Sequence, residues 1–228
     1  MKPTTEGILL LDKPAGKSSF FLVTLLRHKL HVKKIGHAGT LDPFAKGVMV
    51  MLVGQNYTRL SNRFLDQDKE YVAKIRLGIE TDTFDPEGKI VATSEIVPTV
   101  DDIRSVLQEF QGTIEQIPPM FSAKKINGKK LCDLARKGQV VERAPVKVQV
   151  AITLLAYEYP YLELQISCSK GTYVRTIAHD IGKKLGCGAH VAELTRTRSG
   201  NFSLSECLST DDLQIEQIHA HLKRTPIS

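Results

Sequence analysis

Two runs of alternating apolar and polar residues, Val146 to Tyr157 and Tyr161 to Ser169, follow one another along the chain, as strands with one buried face do. A third run carries Tyr71, Ala73, Ile75 and Leu77 on one side; across the turn Asp85-Pro86-Glu87-Gly88 it reads as a hairpin-like pair with Lys89 to Thr93. Gly7 to Leu11 and Val48 to Val53 read as buried strands. Strands therefore come in antiparallel-looking groups, without strict strand-helix alternation. That grouping predicts an α+β fold with a large, mostly antiparallel mixed sheet flanked by helices.

The helical signals are as definite. Ser18 or Ser19 caps a helix to about His31, with Phe20, Val23, Leu26 and Leu30 near helical spacing. Tyr57 to Leu65 reads as helical, and Asp101 or Asp102 caps a helix carrying Ile103, Val106, Leu107 and Phe110 at i, i+3, i+4, i+7. A last helix runs from about Tyr173 to Leu185 and stops at Gly186. Lys33 to Pro43 is too rich in glycine and polar groups for regular structure and reads as a loop.

At 228 residues, 42% apolar and 25% charged, the chain can bury a real core, which excludes a disordered or disulfide-stapled scaffold. No apolar run approaches the roughly 18 residues of a membrane span, and the first residues lack a secretory layout, so a cytoplasmic protein is expected. Cys132, Cys168, Cys187 and Cys207 show no CxxC spacing. The set Cys168, His179, Cys187, His190 matches no common zinc pattern, so no metal site is expected.

The net charge of +6 is unevenly spread. Residues 1–60 carry nine basic and three acidic groups, and residues 120–147 carry eight and two, while 61–119 are net acidic. Two basic blocks in an otherwise balanced chain point to an anionic partner, most often nucleic acid. Ala15-Gly16-Lys17-Ser18 resembles the end of a phosphate-binding loop, but Leu11 stands where that pattern needs a glycine. It reads as a turn and a helix cap. The most informative stretch is Gly36-His37-Ala38-Gly39-Thr40-Leu41-Asp42-Pro43, which delivers one carboxylate at the end of a loop whose glycines permit unusual turns.

That loop, with Ala45 and Gly47, is one of several blocks in register. The others are Gly7 to Pro14, Asp68-Lys69-Glu70-Tyr71, Arg76-Leu77-Gly78 with Thr81-Asp82-Thr83, Gln116 to Met120 with Ser122-Ala123, and Cys168 to Thr176. Together they resemble the bacterial TruB-type tRNA pseudouridine-55 synthases over roughly residues 7–200. The resemblance implies the pseudouridine synthase fold and an isomerase that converts the T-loop uridine of tRNA to pseudouridine. It implies no cofactor, no metal and no guide RNA, and a monomer that binds the T-arm.

The residue roles follow from the same resemblance. Asp42 aligns with the catalytic aspartate, acting either by covalent attack at C1′ or by promoting loss of the 2′ proton. One carboxylate can suffice because the departing base is itself the returning nucleophile, unlike the two-carboxylate glycosidases. Arg175 aligns with the arginine that pairs with this aspartate, and Tyr71 with the tyrosine that stacks on the base and is a candidate proton acceptor. Leu194 and Tyr173 match apolar neighbours of the uracil. His37 aligns with the residue that fills the place of the extruded nucleotide. The basic insertion, with Lys124, Lys125, Lys129 and Lys130, resembles an RNA-gripping loop, and Arg59 is a further phosphate-contact candidate.

The expected organisation is a catalytic domain over residues 1–210, containing the basic insertion 118–145, then a short tail 211–228 in place of the family's C-terminal PUA-type domain. Two rivals are a guide-dependent relative of the same chemistry and a tRNA-folding factor with vestigial catalysis. Retention of Asp42, Tyr71 and Arg175 speaks against the second.

Overall fold

The computed structural model describes residues 5–122, 124–126, 128–211 and 213–224. They form two compact units, Met1–Tyr71 with Leu194–Ser228, and Val72–Glu193. The chain opens with strand β1 (Gly7–Lys13), helix α1 (Ser19–Leu30), β2 (Ile35–Ala38), β3 (Lys46–Val53), the short helices α2 (Gln55–Thr58) and α3 (Ser61–Leu65), and β4 (Lys69–Leu77). Ser18, one of the two caps the sequence offers, caps α1, its side chain accepting from the Phe21 amide, and the helix ends at the expected place, with His31 closing it in the left-handed region. Leu22, Val23 and Leu26 form the buried stripe of α1. Two corrections appear here. The predicted loop Lys33–Pro43 contains β2, which pairs antiparallel with β3 through main-chain groups that need no apolar alternation. The predicted helix Tyr57–Leu65 is two short helices.

The second unit continues with β5 (Ile79–Thr81), β6 (Ile90–Thr93), α4 (Val100–Gln108), β7 (Gly112–Gln116), β8 (Lys125–Ile126), β9 (Lys129–Lys130), α5 (Leu131–Ala135), β10 (Val146–Glu158), β11 (Tyr161–Cys168), α6 (Val174–Lys184) and β12 (Ala189–Ser199). Its strand order is β12-β4-β11-β10-β7. The β10–β11 hairpin forms as its alternation predicts, with Leu162, Leu164 and Ile166 buried on one face. The partner of β6 is β5, not β4: at Gly78 the backbone takes φ +83, leaving β4 to start a separate two-stranded ribbon. The cap of α4 is Thr99, in a capping box with Asp102, two or three residues before the predicted start. The basic insertion is not a featureless loop. It holds the β8–β9 hairpin and α5, anchored by buried Leu131 and Leu134.

Returning to the first unit, the chain adds β13 (Phe202–Ser203), a 3-10 turn at Leu204–Glu206, β14 (Leu208–Ser209) and α7 (Ile215–His221). Strand order there is β14-β1-β3-β12-β4, with β2 also on β3 and β13 on β12. The β1–β3, β2–β3 and β12–β13 pairs are antiparallel, whereas β1–β14 and β3–β12 are parallel. The sheet is thus mixed and mostly antiparallel, flanked by helices, which is the predicted α+β class. Ile8, Leu10, Val48, Val50 and Leu52 join Ala38, Tyr57 and Phe64 in a core cluster, while Leu9, Leu11, Met49 and Met51 are buried as well. Burial on both faces explains why β1 and β3 read as continuous apolar runs.

Candidate active site

The carboxylate of the glycine-rich loop sits on a backbone fastened from three places in the first unit. From the end of β1, Lys13 is wholly buried, and its ammonium donates to the carbonyls of Pro14 (2.9 Å), Lys17 (2.5 Å) and Pro43 (3.1 Å). A buried ammonium is costly unless its donors are used, and these carbonyls use them. From the start of α1, the Ser19 hydroxyl donates to the Leu41 carbonyl and accepts from the Leu41 amide, both at 2.9 Å. The Gly16 amide donates to Pro43 O at 2.8 Å, so the turn that mimics a phosphate loop is a brace for the residues around Asp42. Asp42 itself is half-buried, and its carbonyl accepts from Ala45 N at 3.2 Å.

The third fastening is Arg196 on β12, 1% exposed, whose Nε donates to Val48 O (2.8 Å) and whose guanidinium reaches Gly39 O (3.2 Å) and Met49 Sδ (3.7 Å). β12 lies so close to β3 that a Cβ on Gly47 would stand 2.3 Å from Arg196 O, at a backbone φ of +111 that only glycine holds easily. His37, on β2, has its Nδ1 buried without a hydrogen-bond partner among the described residues. Burial first, then the Arg196 charge, pushes its pKa below the usual histidine value. Its imidazole is therefore neutral at physiological pH. Tyr71 on β4 is half-buried, Leu194 on β12 is buried, and Arg59, at the end of α2, is exposed.

The second unit holds Arg175 near the start of α6. Its guanidinium donates to Asp85 Oδ2 (2.9 Å), Thr83 O (2.9 Å) and Phe121 O (2.8 Å), and the Arg175 and Asp85 side chains are each 4% exposed. Asp85 Oδ1 also accepts from Thr83 Oγ1 and Glu87 N. The residue before α6, Tyr173, is half-buried; its amide donates to Gln116 Oε1 (2.7 Å) and its carbonyl accepts from Gln116 Nε2 (3.0 Å). One side-chain amide thus stands in for a strand neighbour and fixes where α6 begins. Lys124, Lys125 and Lys129 are exposed around the β8–β9 hairpin; the side chain of Lys130, like Ala123 of the motif, lies outside the described residues.

Asp42, His37, Tyr71, Leu194 and Arg59 fall in the first unit, and Arg175, Tyr173 and the lysines in the second. Sequence reasoning missed four positioning residues: Lys13, Asp85, Gln116 and Arg196. Lys13 and Gln116 stand inside the quoted blocks, Asp85 two residues past Thr83 and Arg196 two past Leu194, so adjacency to the motifs was the available signal.

The model of the TruB family pseudouridylate synthase N-terminal domain matches residues 27–174, and that of the tRNA pseudouridylate synthase B C-terminal domain matches 175–225. A protein of Protochlamydia amoebophila named tRNA pseudouridine synthase B is 63% identical over 204 residues, 90% of this chain and 78% of that one. One of the same name from Pseudomonas fluorescens is 47% identical over 96% of this chain and 72% of its own. Among solved structures, one titled as a Cbf5-Nop10-Gar1 complex superposes with a TM-score of 0.75 at 30% identity, covering 97% of this chain and 60% of that one. Two family models that between them run from residue 27 to 225, and relatives matched over most of their own length, leave one conclusion: the chain belongs to the TruB family of pseudouridylate synthases.

Proposed function

We propose that this enzyme isomerises the T-loop uridine at position 55 of tRNA to pseudouridine, as a monomer working without a guide RNA in the cytoplasm. The observation that carries the reading is the Asp42 loop, whose backbone is held by buried Lys13, Ser19 and Arg196 in a family whose relatives bear the name tRNA pseudouridine synthase B. Burying two cations to fasten one loop is a cost that only a demanding position justifies. Independence from a guide is supported by the ranking of likeness: 63% identity to that relative against 30% to the Cbf5 chain, of which this chain spans three-fifths. Among the described residues, no helix is long and apolar enough to cross a membrane.

The chemistry balances without an external reactant. The N1–C1′ bond breaks, the uracil turns, C5 bonds to C1′, the C5 proton leaves and N1 gains one. Asp42 acts at C1′, and Tyr71 stacks on the base and takes a proton at C2′ or C5. Arg175, fixed by Asp85, orients charge at the reacting sugar. Leu194 and Tyr173 flank the uracil. Extruding the uridine leaves a gap in the RNA, and the neutral ring of His37 fills it. Arg59 and the lysines of the insertion hold phosphates.

The test is to incubate the pure protein with unmodified tRNA and map pseudouridine by carbodiimide adduct and primer extension. A stop at position 55, abolished by at least about a thousandfold in Asp42→Asn, is expected. Absence of product, or an Asn variant within about tenfold of wild type (roughly 1.4 kcal/mol of barrier), refutes the reading. Tyr71→Phe keeps the ring and removes the hydroxyl; a severe loss in single-turnover rate is expected if the phenol takes the proton.

A further inference from the structure

The buried stripe of α1, Leu22, Val23 and Leu26, accounts for its packing and leaves two large aromatic side chains outside it. Phe20 is 59% exposed and Phe21 37%. An isolated exposed apolar residue is ordinary, but two adjacent phenylalanines on one helix, each under a cation, are a surface of definite chemistry. The Lys17 ammonium stands 5.3 Å from the Phe21 ring centre, and the Arg27 guanidinium 5.8 Å from that of Phe20. From Lys17 to Lys34 the chain carries Lys17, Arg27, Lys29, Lys33 and Lys34 and no carboxylate. The segment that carries the two rings therefore holds five cations and no carboxylate, two of the cations standing over the rings.

Its position gives it a partner. α1 is tied to the Asp42 loop by Ser19, the residue before Phe20, which holds Leu41 through both of its main-chain groups, and by Gly16, whose amide bonds Pro43. The two rings are thus carried on the helix that anchors the Asp42 loop. A membrane-binding helix presents a broad apolar side, whereas the apolar side of α1 is buried. Unpaired nucleobases bring a flat π face for the phenylalanines and a phosphate for Lys17 and Arg27, the combination that single-stranded nucleic acid sites use.

We infer that the exposed face of α1 formed by Phe20 and Phe21, with Lys17 and Arg27, is a stacking platform for unpaired nucleotides of the RNA substrate next to the target uridine. This rests on the proposed action on tRNA. Lys17, and Arg27, which also donates to the Ile35 carbonyl at 3.3 Å, supply the positive charge that phosphates would meet beside the rings.

The sequence has no tryptophan, so Phe20→Trp and Phe21→Trp each install a single indole reporter that keeps a stacking face. Quenching of the indole on adding unmodified tRNA is expected in at least one of them. In parallel, Phe20→Leu/Phe21→Leu keeps apolar bulk and removes the rings; its tRNA Kd should rise about tenfold or more with the salt dependence unchanged. Lys17→Ala/Arg27→Ala should instead flatten the slope of log affinity against log salt by about 0.7 per lost phosphate contact. Thermal melting of each variant confirms folding. Unchanged indole emission with both Trp variants and a wild-type Kd in the Leu variant overturn the inference while leaving tRNA isomerisation standing. Emission that responds to anionic vesicles or to protein concentration, and not to tRNA, also overturns it and assigns the face to a membrane or to a second copy. Wild-type protein that neither binds nor modifies tRNA refutes the function reading itself, and the platform with it.

Discussion

Arg175 and Asp85 meet at 2.9 Å in the interior of the second unit, 90 residues apart in sequence and almost sealed from water. The same carboxylate accepts from the Thr83 hydroxyl at 2.6 Å, so the turn Asp85-Pro86-Glu87-Gly88 is a built socket for a guanidinium. Asp85→Asn removes the charge and should destabilise the protein by about 3 kcal/mol, the range for breaking a buried pair. Urea unfolding measures it. Because part of that loss is desolvation of Arg175, Asp85→Leu with Arg175→Met should recover much of the stability while leaving no activity.

The ammonium of Lys13 and the guanidinium of Arg196 should be separable in their effects on chemistry and on binding. Lys13→Met leaves the carbonyls of Pro14, Lys17 and Pro43 without that donor, and Arg196→Lys cannot reach Val48 O and Gly39 O with one fork. Each should lower single-turnover rate by at least tenfold while tRNA affinity changes less than threefold, because the loop shifts and the phosphate contacts do not. Equal losses in rate and affinity would place these residues in RNA binding.

A pH dependence follows from His37. Its folded pKa lies below the ordinary 6.5, first through burial and then through the Arg196 charge, so the unfolded chain takes up the proton first as pH falls. The stability it contributes is complete above pH 6.5 and is lost as pH drops through the folded pKa. Wild type and His37→Gln, compared by urea unfolding between pH 7.5 and about 5, should show a steeper decline for wild type. Parallel curves would mean that the ring titrates as in the unfolded chain.

Replacing Lys124, Lys125, Lys129 and Lys130 with alanine should weaken tRNA binding and flatten the salt slope by up to about three units if all four reach phosphate. Since the β8–β9 pairing runs through main-chain groups and α5 is anchored by Leu131 and Leu134, the segment should keep its structure in the variant, and circular dichroism should match wild type. Parallel slopes with unchanged affinity would leave these lysines as a solvated surface.

What the sequence made legible follows physical lines. α1, the β10–β11 hairpin and the end of α6 at Gly186 were readable because cap residues, alternation and a stop glycine are local signals, and Asp42 because a whole motif surrounds it. The cap of α4 was misplaced although Thr99-x-x-Asp102 spells a capping box, since either acid alone also suits a first turn. β12 escaped notice because Glu193, Thr195, Arg196, Thr197 and Arg198 give it a polar text, yet it lies between β3 and β4 in the strand order. Buried Lys13 and Arg196 escaped for a related reason: a cation in a strand is ordinarily solvated, and only the carbonyls it meets, up to 157 residues away, reveal otherwise. Asp85 read as a turn former, which it is, while its partner stood beyond any local window.

The grip of Arg196 on Gly39 has a temporal meaning. On a ribosome that emits the chain from its N-terminus, the Asp42 loop emerges early but cannot be locked until β12 has been made and has docked parallel to β3 at Thr195–Lys46. A pairing of such long range forms late in folding, since its closure entropy must be met before any contact rewards it. Nascent and truncated chains ending before residue 196 therefore carry every residue of the Asp42 motif without its Arg196 fastening, and the fully braced loop exists only once β12 has been made.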